Sequence, residues 1–370
     1  MRVLHVFNEL GFSGAEKMYV AAAPLFKAKG CELFAMATGS EQGDYAPEFI
    51  KAGFEISHFP LPENKPSQII KYLKSIRKYI DDMEIDVVHI HRASYMCWIG
   101  IGSCARLSRK STVRTFHNVF KNRRSTWIVG WFVRWIGRHI LGIKYHTIGE
   151  SVYFNELNYY HNKTIKINNW YDPYMFFPAS VEEKKSIRNK LDIPEDNHVI
   201  ISVGACSPVK NHGDILRALP LILKQSQVLY LHLGQGRDEA EEKKQSELLG
   251  VDGNVRFVGN VVNVRDYLIA SDVFVMPSIF EGLAIAAIEA MACKLPSILY
   301  DVSGLRDLID SDNDNGFKIT PDYKLIAQKC IVIFKRPDMA DRMAINAYKY
   351  VSENYSMVKS VEEIYKLYAS

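Results

Sequence analysis

Short apolar runs recur along this chain, separated by turn-rich loops and by stretches of helical length. Val3 to Phe7 is the first such run and reads as a buried strand. Asn8 to Glu16 is a turn-rich loop, and Lys17 to Lys29 a helix closed near Gly30. Further strands are predicted over Glu32 to Thr38, Glu55 to Phe59, Asp86 to His91, Thr112 to Phe116 and Tyr145 to Ile148, with a helix over Ser67 to Tyr79. A second series follows, with strands at His198 to Gly204, Val228 to Leu233, Val255 to Gly259, Asp272 to Pro277 and Pro296 to Tyr300. Helices are predicted over Val181 to Lys190, Gly213 to Gln225 and Val264 to Ala270, and they fill Tyr323 to the end. Strands alternating with helices make the class α/β. At 370 residues the chain exceeds one ordinary core, which predicts two domains with a boundary near Asn169.

One stretch departs from simple amphipathic patterning. Ser278 to Ala292 reads as the end of a strand, a short Gly-containing loop and a helix that is apolar almost all round. Such a helix is buried. Glu289 stands out within it, because a buried carboxylate is costly unless paired. Glu281 and Gly282 precede the helix, and the first free amides, near Leu283 to Ile285, form an anion site of the helix N-terminal kind. The pattern Phe-Glu-Gly-Leu, five residues, then Glu-Ala-Met-Ala resembles the signature of retaining glycosyltransferases of family 4, which have the GT-B fold. The resemblance implies two facing Rossmann-like domains with the site in the cleft. It places residues 1–168, with the C-terminal helix of 354–370 crossing back, on the acceptor side, and 169–353 on the nucleotide-sugar side. It gives Glu281 to the donor sugar, Glu289 to the ribose hydroxyls, and the backbone of Leu283, Ala284 and Ile285 to the diphosphate.

Other motifs carry the same resemblance with departures. Ser13-Gly14-Ala15-Glu16 is similar to the family's Gly-Gly-x-Glu loop, with Ser13 replacing the first Gly; Gly14 then lies beside the donor, and otherwise the loop is a plain tight turn. His89 and His91 share one strand face. A metal pair and a sheet-end His facing a cleft are both open, and the second resembles the family's Val-His-x-His strand end. His117-Asn118 ends the next strand, and the resemblance sends His117 to the donor sugar, the alternative being a structural His. Asn168 to Asp172 resembles the Pro-Asn-Gly-Val-Asp hinge, with Trp170 and Tyr171 substituted. Val203 to Asn211 matches Val-Gly-Arg-x-x-x-x-Lys-(Gly/Asn), which assigns Lys210 to the diphosphate as a point charge. Ala205 occupies the place of the family Arg, so that position of the donor site lacks its cation. Arg256 and Val258 fall on the strand that borders the nucleobase in the family. Gly234-Gln235-Gly236 alone is unspecific. Asp310 to Gly316 contains Asp-x-Asp, open as a metal-bound diphosphate site, a calcium loop whose Gly comes one place late, or a polar turn.

Composition adds exclusions. With 48% hydrophobic and 24% charged residues the chain is globular, and a net charge of +4 makes no case for nucleic acid. Six scattered cysteines without a Cys-x-x-Cys pair read as buried thiols of a cytoplasmic protein. The start is a strand rather than a signal peptide, and no uncharged apolar run reaches membrane-spanning length. From His117 to Gly149 there is no Asp or Glu, but there are Lys121, Arg123, Arg124, Arg134, Arg138 and Lys144 with Trp127, Trp131 and Trp135. On a helical projection Ile128, Phe132, Ile136, Ile140 and Ile143 form one face, and Arg134 and Arg138 fall opposite, with the tryptophans at the cationic edge. Residues 120–145 therefore suit an anionic membrane surface at the inner face of the cell membrane, or a helix packed on its own sheet with Trp in the core.

The resemblance makes the expected activity transfer of a sugar from a nucleoside diphosphate sugar, with UDP favoured, to a glycan or lipid-linked glycan in surface polysaccharide synthesis. Lys210, Glu281 and His117 would act at the reacting centre, with no bound metal and no other cofactor. Two rivals stand beside it: an epimerase or hydrolase of the same nucleotide sugars, and a non-catalytic nucleotide-sugar-binding scaffold, which the Ala205 substitution keeps open.

Overall fold

A computed structural model describes residues 1–62, 66–119, 127–310 and 314–370. Phe120, Lys121, Arg123 and Arg124 of the basic stretch, and Ser311, Asp312 and Asn313 of the Asp-x-Asp turn, lie outside the described residues. The chain divides into two compact units, Met1–Trp170 with Met357–Ser370, and Tyr171–Ser356.

The N-terminal unit runs β1 (Arg2–Phe7), α1 (Gly14–Ala28), β2 (Glu32–Ala37), α2 (Ala46–Lys51), β3 (Glu55–His58), α3 (Pro66–Asp82), β4 (Val87–Ile90), α4 (Tyr95–Leu107), β5 (Ser111–Phe116), α5 (Trp127–His139), β6 (Lys144–Thr147), α6 (Glu150–Phe154) and β7 (Ile165–Lys166). Its seven strands pair in parallel in the order β3-β2-β1-β4-β5-β6-β7. The second unit runs α7 (Val181–Lys190), β8 (His198–Val203), α8 (Gly213–Ile222), β9 (Val228–Leu233), α9 (Glu239–Leu248), β10 (Val255–Gly259), α10 (Val264–Ala270), β11 (Val273–Met276), α11 (Ile285–Ala292), β12 (Ser297–Tyr300), β13 (Phe317–Ile319), α12 (Tyr323–Lys335) and α13 (Pro337–Asn354). Its parallel order is β10-β9-β8-β11-β12-β13. The last helix, α14 (Met357–Ala369), belongs to the N-terminal unit, where Tyr368 Oη lies 2.6 Å from His89 Nδ1 and Ser360 donates to the Asn168 carbonyl at 2.8 Å.

Strand order reverses at β1/β4 in one sheet and at β8/β11 in the other. In open α/β sheets ligands bind beyond the carboxyl ends of strands at such switch points. That rule selects the loops after β1 and β4 in the first unit, and those after β8 and β11 in the second.

Six elements had no counterpart in the sequence reading: α2, α4, α6, β7, α9 and β13. In α4 the reason is visible. Cys97, Trp98, Ile101, Cys104 and Ala105 are all buried, so the helix has no amphipathic stripe to betray it. The signature helix α11 starts at Ile285, which leaves Leu283 and Ala284 in the loop.

The main correction concerns α5. The apolar projection splits: Ile128, Phe132 and Ile140 are exposed, as are Val129, Trp131 and Trp135, whereas Ile136 is half-buried and Ile143, just past the helix, is buried. Gly130, Arg134 and Gly137 are buried instead. The cause is Glu156, 22 residues on, which is fully buried in a π-helical turn at Asn155–Tyr159 and requires a cation. Arg134 grips it bidentately, Nε to Oε2 and Nη2 to Oε1, both at 2.7 Å. Arg138 likewise turns to Asn162, at 2.8 Å, and to the Lys163 carbonyl. Gly137 on the inward side lets the helix approach closely, since a Cβ there would overlap the Tyr145 hydroxyl.

Candidate functional site

In the second unit, β8 delivers Gly204 to His212 and β11 delivers Pro277 to Ala284 to the same switch point. The loops are tied together: Ile279 N donates to the Val209 carbonyl at 2.8 Å, and Asn211 Nδ2 to the Pro277 carbonyl at 3.2 Å. Lys210 Nζ and Glu281 Oε1 form an ion pair at 2.7 Å, so two of the sequence-predicted site residues meet directly. Glu281 is fixed from behind by its amide, which donates to the Ser303 carbonyl at 2.9 Å. Gly304, at φ +80°, makes that approach possible: a Cβ there would stand 2.4 Å from the Glu281 carbonyl oxygen. Gly234, at φ +133°, does the same beneath Gly204, where a Cβ would come within 2.0 Å of the Gly204 carbonyl oxygen.

The amides of Leu283, Ala284 and Ile285 donate to no backbone carbonyl among the described residues, as expected for the first turn of a helix. They are the positive end of α11, on the loop that also carries Glu281, the partner of Lys210. Glu289 is half-buried on the same helix. Ala205 is exposed on the β8–α8 loop, with room for a longer side chain. Val258 is half-buried on edge strand β10. Arg256 beside it sends its guanidinium to the Leu191 and Asp192 carbonyls just past α7. The structure thus ties it to the end of a helix and does not join it to Lys210 and Glu281.

In the N-terminal unit the loops after β1 and β4 bound a cavity of about 400 Å³, lined among others by Asn8, Ser13, Glu16, His91, Arg92 and His117. Gly14, exposed, opens α1 beside it. His117 Nε2 lies 3.0 Å from His91 Nδ1, and His91 Nε2 lies 3.1 Å from His5 Nδ1. Burial pushes His117 down to about 3, with His146 and Arg114 adding to it, and burial alone takes His5 to about 3. These rings are neutral at physiological pH. Glu16 is buried and burial pushes its carboxyl up to about 7, against a lowering by backbone hydrogen bonding. Sequence reading placed Glu16 in the loop motif but gave it no role. The Ser13-x-x-Glu16 spacing is that of a capping box, but Ser13 makes no side-chain bond to the helix amides; its Oγ donates to Glu16 Oε2 instead.

Among the described residues two buried groups have metal-ligating composition: His5, His89 and His91, and Cys206, His232 and Glu242. In the first, His5 Nδ1 and His91 Nε2 meet each other, His91 Nδ1 meets His117, and His89 meets the hydroxyls of Thr115 and Tyr368, which leaves His5 Nε2 without a partner among the described residues. In the second, Cys206 Sγ lies 3.2 Å from His232 Nε2, and Glu242 Oε1 lies 3.3 Å from His212 Nδ1. Burial first and Glu242 second push the Cys206 thiol up to about 12. All six cysteines are buried and free.

Comparison with known proteins adds a family. The model described as Glycosyl transferases group 1 matches residues 183–350, and the one described as Glycosyltransferase Family 4 matches residues 12–144. The chain is 26% identical over 361 residues to "Putative glycosyltransferase EpsD" of Bacillus subtilis (strain 168), covering 93% of this chain and 91% of that one. Anabaena Alr3699/HepE, solved in complex with UDP and glucose, superposes with a TM-score of 0.85 at 16% identity over 100% of this chain and 99% of that one. WaaG, a glycosyltransferase involved in lipopolysaccharide biosynthesis, superposes with a TM-score of 0.75 at 16% identity, over 98% and 99% of the two chains. At these identities the two structures speak for a shared GT-B fold.

Proposed function

This chain belongs to the group 1 and family 4 glycosyltransferases, and from that membership we propose that it transfers a sugar from a UDP-sugar to a glycan or lipid-linked glycan in surface polysaccharide synthesis. One observation carries the donor half: Lys210, Glu281 and the open amides of Leu283 to Ile285 converge at a switch point of the second sheet. Breaking the glycosidic C–O bond leaves negative charge on the departing diphosphate. An ammonium and a helix N-terminus, both fixed in advance, stabilise that charge as it develops. In this reading the diphosphate takes over the Lys210 ammonium from Glu281, which then turns to the sugar hydroxyls. Glu289 holds the ribose and His117 positions the sugar. No bound metal takes part. UDP is supported by the nucleotide in the similar HepE structure, and the acceptor class by the role stated for WaaG.

The reading includes retention of anomeric configuration, by attack on the face the diphosphate leaves. It also places α5 against the membrane. The support is the outward apolar face of Ile128, Trp131, Phe132, Trp135 and Ile140, within a stretch from His117 to Gly149 that has no acid. Among the described residues no helix is long and apolar enough to cross a membrane.

The test is UDP release and product analysis with UDP-glucose, UDP-galactose and UDP-N-acetylglucosamine, with water or an octyl glycoside as acceptor. The expected product is a glycoside with the donor's anomeric configuration. An inverted product contradicts the mechanism. Donor consumption that yields only free sugar or an epimer, whatever acceptor is present, favours the hydrolase or epimerase rival.

A further inference from the structure

The second unit buries a thiol, two imidazoles and a carboxylate that no step of sugar transfer uses. Cys206 comes from the loop after β8, His232 from β9 and Glu242 from α9. All three are buried, and one donor atom from each lies within 4.8 Å of the other two. Cys206 Sγ meets His232 Nε2 at 3.2 Å. At the other nitrogen of that ring, Nδ1 lies 3.2 Å from Tyr230 Oη, which lies 2.6 Å from Ser202 Oγ. His212, buried just before α8, brings Nδ1 to 3.3 Å from Glu242 Oε1. Glu242 Oε2 faces the His232 ring, 3.9 Å from Nδ1, and has no hydrogen-bond partner among the described residues, although Glu242 is only 7% exposed. A carboxylate oxygen buried without a partner is costly. The Gly234-Gln235-Gly236 turn allows the close approach: a Cβ at Gly236 would stand 2.3 Å from the Cys206 carbonyl oxygen.

We propose that Cys206, His212, His232 and Glu242 form a structural Zn²⁺ site within the second unit. Thiolate, imidazole and carboxylate are the ligand types zinc takes, and its structural sites close with four of them. Bond lengths of about 2.0–2.3 Å around one tetrahedral ion put neighbouring donor atoms roughly 3.3–3.6 Å apart. The Cys206–His232 and His212–Glu242 contacts, 3.2 and 3.3 Å, are already close to that spacing. Tyr230 supplies the outer hydrogen bond that orients a metal-bound imidazole at His232. As the ion binds, the Cys206 S–H bond breaks, its proton leaves to solvent, and the sulfur electron pair goes to the metal. Thiolate and carboxylate balance the two charges of the ion, so it does not replace the cation missing at Ala205. It fixes instead the turn that follows Cys206, where the amides of Lys210 and Asn211 donate to the Ser207 carbonyl at 3.0 and 3.3 Å. The histidine group of the N-terminal unit is a poorer zinc site, because it holds no anion and His89 meets hydroxyls at both ring nitrogens. Zinc binding here does not depend on which sugar is transferred, or on whether one is.

The test uses the full chain, treated with a chelator, dialysed and titrated with Zn²⁺ or Co²⁺. Elemental analysis should find one Zn²⁺ per chain after dialysis of the reloaded protein. Co²⁺ in its place should give the near-ultraviolet charge-transfer band of a cobalt thiolate, with the strong visible bands of tetrahedral geometry. Cys206→Ser should lose the charge-transfer band. Glu242→Gln, which keeps the shape of the side chain, should weaken Zn²⁺ binding by at least about tenfold. Mg²⁺, a hard cation that prefers oxygen ligands, should not compete. A folded wild-type chain that takes up neither Zn²⁺ nor Co²⁺ overturns the proposal. So does cobalt absorption without a thiolate band, which would put the ion on His5, His89 and His91, and so does a thiolate band that survives in Cys206→Ser. If Cys206→Ser does not fold, unchanged Zn²⁺ affinity in Glu242→Gln overturns it alone.

Discussion

Arg134→Met should destabilise the N-terminal unit by about 3–5 kcal/mol, the cost of leaving one member of a buried ion pair alone. The side chains are almost completely inaccessible, 3% for Arg134 and 0% for Glu156. The substitution removes two charge-assisted hydrogen bonds of 2.7 Å, each worth roughly 1.5–3 kcal/mol. It also removes a guanidinium stacked 3.5 Å from the centre of the Tyr160 ring. Glu156 would keep Asn162 Nδ2, at 2.8 Å. Arg134→Met with Glu156→Leu removes both charges, and most of the loss should be recovered, to within about 1–2 kcal/mol of wild type. All five tryptophans, Trp98, Trp127, Trp131, Trp135 and Trp170, lie in the N-terminal unit, so fluorescence-detected urea unfolding follows that unit alone. A loss below about 1 kcal/mol for the single variant, or a double variant as unstable as the sum of its parts, would refute the buried pair. A mild loss of stability with abolished vesicle binding would restore the opposite orientation, with Arg134 reaching lipid.

Three further outcomes follow from the same structure. Trp131→Ser, Phe132→Ser and Trp135→Ser together should abolish flotation with anionic phosphatidylglycerol vesicles, and wild-type binding should survive 0.5 M salt in large part because the face is apolar; loss of wild-type binding in salt would point to charge instead. Ala205→Arg should tighten UDP binding by about tenfold, since one added charge-assisted hydrogen bond is worth about 1.5 kcal/mol and the position is open; unchanged calorimetric affinity would show that this loop does not face the diphosphate. Burial pushes the Glu16 carboxyl from an ordinary 4.5 up to about 7, so its contribution favours folding most below about pH 4.5 and is lost as pH rises through 7. Unfolding monitored across that window should lose up to ~3 kcal/mol more in wild type than in Glu16→Gln, and parallel profiles would refute the buried carboxyl.

The parts of the fold and site that were legible in the sequence are those encoded by neighbours in the chain. The run from Glu281 to Glu289 declares a loop and a buried helix by itself, and Lys210 follows Gly204 at a recognisable spacing. The Lys210–Glu281 pair is then a consequence of two adjacent strands ending at one switch point. What escaped depends on distant partners. The hydrophobic projection of α5 cannot say which side faces inward, because that is decided by Glu156 on a later turn. Glu16 shares its cavity with His91 and His117, which follow β4 and β5, far along the chain from its own loop. Cys206, His232 and Glu242 come from three separate elements and share no motif. Arg256 lies on the expected strand, yet the backbone past α7 claims its side chain.

The most direct measurement is calorimetric titration of the folded chain with UDP, GDP and ADP, without and with Mg²⁺, for wild type, Lys210→Ala and Glu289→Ala. The account predicts binding of UDP alone, independent of Mg²⁺, and weakened by about tenfold or more in both variants. Failure of all three nucleotides to bind, or UDP binding indifferent to both substitutions, would contradict the donor site placed at the β8 and β11 loops.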